Sequence, residues 1–244
     1  MGIPAAVFQG KVAAVTGGGR GLGRAVAVAL ASAGADVALS YRESADGAAE
    51  TAEAVRRLGR RVYVGPADAR QHGQLAGFVD GAAAALGGLD VLVNNAGVFR
   101  RVEADDLSEE SLDEAFDVNV KAAVMAARAA APHMRRRGGG AIVNVASVGG
   151  LRPWKAYLPY CASKAALVMA TRCLALAFAP EIRVNAVAPG ILDPPGAPDD
   201  LRRRIPLGRF GEHDEAVEAT LFLAAGASYT TGEILTVDGG RALA

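Results

Sequence analysis

The sequence predicts an α/β fold, a doubly wound, seven-stranded parallel sheet with helices on both faces. Three observations carry this. Short β-type runs alternate along the chain with longer Ala-rich stretches that favour helix. Most of the short runs are almost continuously apolar, as strands buried on both faces should be. At 244 residues, the chain is long enough to bury a full sheet between two helical layers as a single domain, 1–244.

The strand-type runs fall at 11–16 (KVAAVT), 35–40 (ADVALS), 61–65 (RVYVG), 89–94 (LDVLVN), 141–146 (AIVNVA), 182–188 (IRVNAVA) and 233–237 (EILTV). Two stretches read as loops, the glycine cluster at 138–140 and the Pro-rich segment 193–199 within a short substrate loop at about 190–205.

The first strand runs into Thr16-Gly17-Gly18-Gly19-Arg20-Gly21-Leu22-Gly23 and then a helix. A tight glycine turn there lets backbone N–H groups and the positive helix end approach a pyrophosphate. The second strand ends in Ser40-Tyr41-Arg42. An adenosine ribose with a free 2′-hydroxyl wants an acid at this point, whereas a 2′-phosphate wants cations. Arg42 with Arg20 therefore favours NADP(H) over NAD(H), provided Glu43 does not point inward. After the third strand, Asp68 offers its carboxylate either to an adenine amino group or to a helix N-terminus. The fourth strand ends in Asn94-Asn95-Ala96-Gly97, a turn of small residues whose amides are able to tie neighbouring strands.

Asn119 sits inside an apolar helical run, FDVNVKAAVMAA, where a buried amide needs a partner; it either holds a water or braces a neighbouring helix. Strand 141–146 delivers Ser147 at its carboxyl end, where ligands collect in open α/β sheets. Tyr160 and Lys164 follow, four residues apart at the head of an apolar helix and so on one face of it. Using a tyrosine as acid or base near neutrality means lowering its pKa by about 3 units, or ~4 kcal/mol. An ammonium ~5 Å away supplies about 3 kcal/mol of that at an effective dielectric near 20.

Bulk properties exclude several classes. Positive and negative side chains balance at 26 each, so nothing points to nucleic acid or an anionic membrane. No run of about 18 apolar residues is expected to span a membrane. The start MGIPAAVFQG lacks the pattern of a signal peptide, so the cytoplasm is the expected compartment. Cys161 and Cys173 lie twelve residues apart on one helix, too far to bridge, and both are expected to be buried. His72, His133 and His213 show no metal-ligand spacing. Arg135-Arg136-Arg137 closes a helix before three glycines, where cations suit the dipole.

Taken together and in this order, Thr16-Gly17 with Gly21 and Gly23, Asp68, Asn94 to Gly97, Asn119, Ser147, Tyr160 with Lys164, Pro189-Gly190 and the Val237-Asp238-Gly239-Gly240 tail resemble the short-chain dehydrogenases/reductases in their compact form, close to the 3-oxoacyl carrier-protein reductase branch. The resemblance covers essentially the whole chain and implies a Rossmann-like sheet. It implies Tyr160 as the acid or base acting on a carbonyl or secondary alcohol, with Lys164 tuning it, Ser147 holding the substrate oxygen and Asn119 placing a relay water. Cofactor contacts would run through Gly17, Gly19, Arg20, Gly21, Leu22, Gly23, Arg42, Asp68, Ala69, Asn95, Ala96, Gly97, Tyr160, Lys164, Pro189, Gly190 and Leu192. The family also implies a homo-oligomer, dimer or tetramer, built partly on helices at 110–135 and 160–178.

The chain departs from the family in one loop. Relatives carry a Thr a few residues after the Pro-Gly pair to bond the nicotinamide carboxamide, and here Pro194 stands near that place without hydroxyl or N–H. The shortened loop is similar to that of pteridine reductases, although those usually have an acid where this chain has Ser147. Phe99, Trp154 and Tyr157 are the expected substrate wall for a flat or apolar ketone. Lys155, Arg100, Arg101 and Arg152 would instead meet an acidic substrate or an acyl carrier, or are plain surface. A nucleotide-binding module without turnover is the alternative of a different class.

Overall fold

The computed structural model describes residues 6–192 and 199–244. Seven parallel strands form one sheet in the order β3-β2-β1-β4-β5-β6-β7. These are β1 Val12–Val15, β2 Asp36–Tyr41, β3 Val62–Pro66, β4 Val91–Asn94, β5 Gly140–Val145, β6 Ile182–Pro189 and β7 Ile234–Val237. Every predicted strand is present to within two residues at each end. Gly140, expected in a loop, instead opens β5 by pairing with Ile182.

The helices are α1 Gly21–Ser32, α2 Ala45–Arg57, α3 His72–Leu86, α4 Glu109–Phe116, α5 Ala122–Arg136, α6 Leu158–Phe178, the short α7 Asp199–Arg202, and α8 His213–Leu221. Alternation along β1 shows how the two layers are built. Val12 and Ala14 face the core under α3 and α5, whereas Ala13 and Val15 face the core under α1 and α8. All four side chains are buried, which is why the strand has no polar position. Ala126, Ala127, Ala130 and Ala131 bring α5 close against the first of these layers.

The far end of the sheet is pinned electrostatically. Buried Asp90 accepts from Val12 N at 2.9 Å, Lys11 Nζ at 3.1 Å and Arg137 Nη2 at 3.0 Å. At the other end, the order reverses between β1 and β4, and a crevice opens beyond their carboxyl termini.

Helix α6 is long and apolar enough, with a mean hydropathy of 1.5, to cross a membrane by length and composition alone. The sequence reading expected no run of this kind, and the helix passes on length and composition although it contains Lys164 and Arg172. In the fold, α6 packs on β6 with Ser163, Lys164, Leu167, Val168, Thr171 and Ala175 buried at helical spacing. Its opposite face is open, with Met169 56% and Leu176 84% exposed. Cys173 lies on that face and is exposed, and Cys161 is half-buried, so the expectation of two buried cysteines is corrected by the helix's period.

Candidate active site and nucleotide cleft

The turn after β1 fits only glycine at two points. Gly17 has φ +68°, in the left-handed region, and a Cβ on Gly23 would lie 2.3 Å from the Gly17 carbonyl oxygen and 2.4 Å from Asn95 Nδ2. Asn95 fastens this turn to the end of β4. Its Nδ2 donates to Thr16 O at 3.0 Å and Gly17 O at 3.1 Å, and Thr16 Oγ1 accepts from Asn95 N and Ala96 N, both at 3.0 Å. Helix α1 begins without a side-chain cap or an acid in its first turn, so its positive end is left for an anion.

These groups wall a cavity of about 470 Å³. Every cofactor residue expected from the glycine turn, with Arg42, Asp68, Ala69, Asn95, Ala96 and Gly97, lines it. So do Ser40, Tyr41, Ser44, Val98 and Val118, which sequence reasoning missed. Ser40 had a signal, as a polar residue ending an apolar strand; its Oγ accepts from Gly17 N at 3.2 Å. Val118 had none, because a π turn at Asp117–Lys121 brings it to the wall. The glycine cradle and a cavity open along four strand ends, those of β1 to β4, fit a dinucleotide. A larger open groove of about 1150 Å³ beside α4, walled by charges of both signs, holds none of the expected catalytic or cofactor residues, although Arg100 and Arg101 line it.

Arg42 Nη2 lies 2.5 Å from Glu43 Oε1, and the Glu43 side chain is 73% exposed. Glu43 also lines the cavity beside Arg42 and engages it, which opposes a 2′-phosphate at this place. Asp68 does not cap α3, whose N-cap is Gln71. Its carboxylate instead pairs with Arg70 Nη2 at 2.5 Å and accepts from Arg70 N at 2.9 Å. Those bonds with Arg70 hold Asp68 below the usual carboxylate range against the opposing effect of burial.

The predicted catalytic side chains converge. The π turn aims Asn119 inward, where Oδ1 accepts from Val98 N at 2.8 Å and Nδ2 donates to Val98 O at 3.1 Å and Ser163 Oγ at 2.9 Å. Asn119 thus braces the β4 loop against α6, one of the two roles expected of it. A Cβ on Gly97 would sit 3.1 Å from Asn119 Oδ1 and 3.6 Å from Lys164 Nζ, so glycine keeps the space between them open. Lys164 is fully buried, and desolvation pushes its pKa down to about 8. Its Nζ donates to Val145 O at 2.7 Å and lies 6.0 Å from the Tyr160 ring centroid. Tyr160 is raised rather than lowered, because burial outweighs its hydrogen bond with Ser147. The expected pull of Lys164 on the phenol is therefore not met in this arrangement, since the ammonium is turned to the Val145 carbonyl.

The expected aromatic wall forms against this pair. Phe99 stacks on Tyr157 at 4.8 Å and meets Tyr160 edge-on at 4.7 Å. Trp154 stacks on Tyr160 at 6.0 Å with an interplanar angle of 21°. Of the four cations proposed beside it, Arg100 pairs with Glu114 at 3.0 Å, Arg101 with Glu103 at 2.5 Å, and Arg152 with main-chain carbonyls of Arg241 and Ala244. Lys155 is exposed.

Pro189, Gly190 and Leu192 stand at the end of β6 but are not in the wall of the nucleotide cavity. Gly190 N donates to Val237 O at 2.9 Å, and Leu192 pairs with Gly211. Pro194 lies outside the described residues. Among the described residues, no three His, Cys, Asp or Glu side chains are grouped to hold a metal ion.

Residues 17–242 match a family model described as enoyl-(acyl carrier protein) reductase. The chain is 36% identical to 3beta-hydroxysteroid dehydrogenase 1 of Eggerthella lenta, over 97% of this chain and 95% of that one. It is 39% identical to 4-formylbenzenesulfonate dehydrogenase of Comamonas testosteroni, over 95% of this chain and 97% of that one. A solved short chain dehydrogenase from Burkholderia cenocepacia in complex with NADP superposes with a TM-score of 0.91 at 40% identity, covering 97% of this chain and 99% of that one. Fold, site and relatives agree that the chain belongs to the short-chain dehydrogenase/reductase family in its compact form and is an oxidoreductase acting between CH–OH and C=O.

Proposed function

We propose that the chain is an NADP(H)-preferring carbonyl reductase or secondary-alcohol dehydrogenase, with Tyr160 as general acid or base. The observation that carries this is the Tyr160 phenol, hydrogen-bonded to Ser147 at the foot of the Phe99, Trp154 and Tyr157 wall. The residues of the glycine turn, with Asp68, Ala69 and Asn95 to Gly97, would hold the dinucleotide. When bound, it supplies the hydride to the carbonyl carbon, or accepts one from the alcohol. In reduction, Ser147 donates a hydrogen bond to the substrate oxygen, and Tyr160 gives its proton to that oxygen as negative charge develops. A phenol whose pKa is raised by burial stays protonated at neutral pH, which suits the reducing direction. Lys164 and Asn119, on either side of Gly97, are read as the route by which the proton is replaced.

Arg20 and Arg42 at the cavity rim support the preference for the 2′-phosphate. The open apolar face of α6, with Met169 and Leu176, supports a homo-oligomer of two or four copies of this one-domain chain, acting on a small molecule in the cytoplasm. The engagement of Arg100 and Arg101 by nearby carboxylates leaves less for an acyl carrier to meet.

Tyr160→Phe tests the reading. The variant should keep the stabilisation by NADPH seen in thermal unfolding, about 2.7 kcal/mol at a hundred times Kd, and lose turnover of a ketone panel by at least about a thousandfold. Turnover that survives would overturn the catalytic assignment. Loss of NADPH stabilisation would implicate the fold of the cleft instead.

A further inference from the structure

One cation at the site has no assigned task. Arg241 follows the Asp238-Gly239-Gly240 turn, where Asp238 accepts from Gly240 N at 2.9 Å and from Ala242 N at 2.6 Å. Arg152 Nη1 donates to the Arg241 carbonyl at 2.9 Å, pinning this tail to the segment that carries Trp154. The Arg241 guanidinium lies 5.4 Å over the Trp154 ring, on the same indole that stacks against Tyr160. Its Nη1 is buried and has no hydrogen-bond partner. Arg204 and Arg152 act on it as like charges and Asp238 as an opposite one, but the carboxylate oxygens of Asp238 accept from backbone N–H groups. A buried guanidinium donor without an acceptor, over the indole that stacks on Tyr160, is a vacant half of a charge-assisted pair.

We propose that Arg241 is a specificity-determining residue that binds an anionic group of the substrate, so that the substrate class is a keto acid, or its hydroxy acid, whose carboxylate and carbonyl are separated by a flat apolar body lying along Trp154. This rests on the assignment of Tyr160 as the proton donor. The planar fork of arginine matches a carboxylate in two parallel bonds, which lysine cannot reproduce. The aromatic wall alone would not distinguish a charged ketone from a neutral one, and the guanidinium adds the discrimination.

Trp154 is the single tryptophan of the chain, so its fluorescence reports directly on this place. The probes are 4-acetylbenzoate and its methyl ester, which share the ring and ketone and differ in charge. On the NADP⁺-loaded protein, where the ketone is not reduced, the acid should bind at least about tenfold tighter than the ester. In Arg241→Met this preference should fall below about twofold, with Arg241→Lys in between, and kinetics should show the loss in KM rather than kcat. Melting curves establish that the variants are folded. Equal binding of acid and ester by the parent protein, equal weakening of both by Arg241→Met, or no response of Trp154 to either overturns the proposal. Should any of these occur while Tyr160→Phe still abolishes turnover of other ketones, the catalytic reading stands and only the anion site falls.

Discussion

Asn119 Nδ2 donates to Ser163 Oγ at 2.9 Å, and Ser163 Oγ in turn donates to the Tyr160 carbonyl at 2.8 Å. One buried amide is thereby linked through a hydroxyl to the backbone of the proposed acid, and through Val98 to the loop that walls the nucleotide cavity. The link depends on the π turn, whose wider spacing turns residue 119 into the space between β4 and α6.

Asn119→Ala removes three bonds and strands the Val98 N–H, so it should cost about 3 kcal/mol in urea unfolding, whereas Ser163→Ala should cost about 1–2 kcal/mol. Both proteins remain folded at 25 °C if the parent has ordinary stability. If Asn119 also serves proton return, its variant should lose turnover well beyond the Ser163 variant, with a solvent isotope effect that changes. Equal turnover in the two would reduce Asn119 to a brace.

Gly23→Ala places a methyl against two groups that cannot move away easily, the Gly17 carbonyl and the Asn95 amide. The expected result is a lower melting temperature and loss of stabilisation by NADPH and NADH alike, because the turn itself is displaced. A variant that melts normally and still responds to both cofactors would show that the turn is softer than its contacts imply.

Glu43 competes for Arg42 at the cavity wall. An exposed pair of this kind is worth about 0–1 kcal/mol, so Glu43→Gln should release Arg42 and tighten NADPH by up to about fivefold while leaving NADH unchanged. Equal changes for the two cofactors would place the preference elsewhere, with Arg20 the next candidate.

Much of this was legible in the sequence because it is written in local rules. Near-continuous apolar runs marked β1 and β4, and a strand opening into Gly17 to Gly23 marked the cleft. What was not legible comes from three-dimensional competition. The sequence showed Lys164 within reach of Tyr160 but not the Val145 carbonyl that accepts its hydrogen bond instead. It showed Arg152 as a free cation, whereas the chain folds a tail back to occupy it, and it gave Arg241, far from Trp154 along the chain, no signal at all. Cys173 was misread because an apolar helix has no periodic mark for the face it leaves open.

Lys164 gives a prediction with a definite sign. Burial lowers its folded pKa to about 8, whereas in an unfolded chain it titrates near about 10.4. Below about pH 8 the lysine is protonated in both states, and the fold carries the full cost of a desolvated ammonium, about 3 kcal/mol. Between about pH 8 and 10.4 the unfolded state binds more protons than the native one, so stability rises with pH across that window. Lys164→Met removes the group, and other titrations cancel when the two proteins are compared. The stability of the parent minus that of the variant, from urea unfolding at pH 7 and again at pH 9.5, should therefore rise by about 2 kcal/mol as most of that cost is relieved. A difference that stays flat would mean that the ammonium is solvated in the folded protein, and the buried proton route through Lys164 and Asn119 would have to be abandoned.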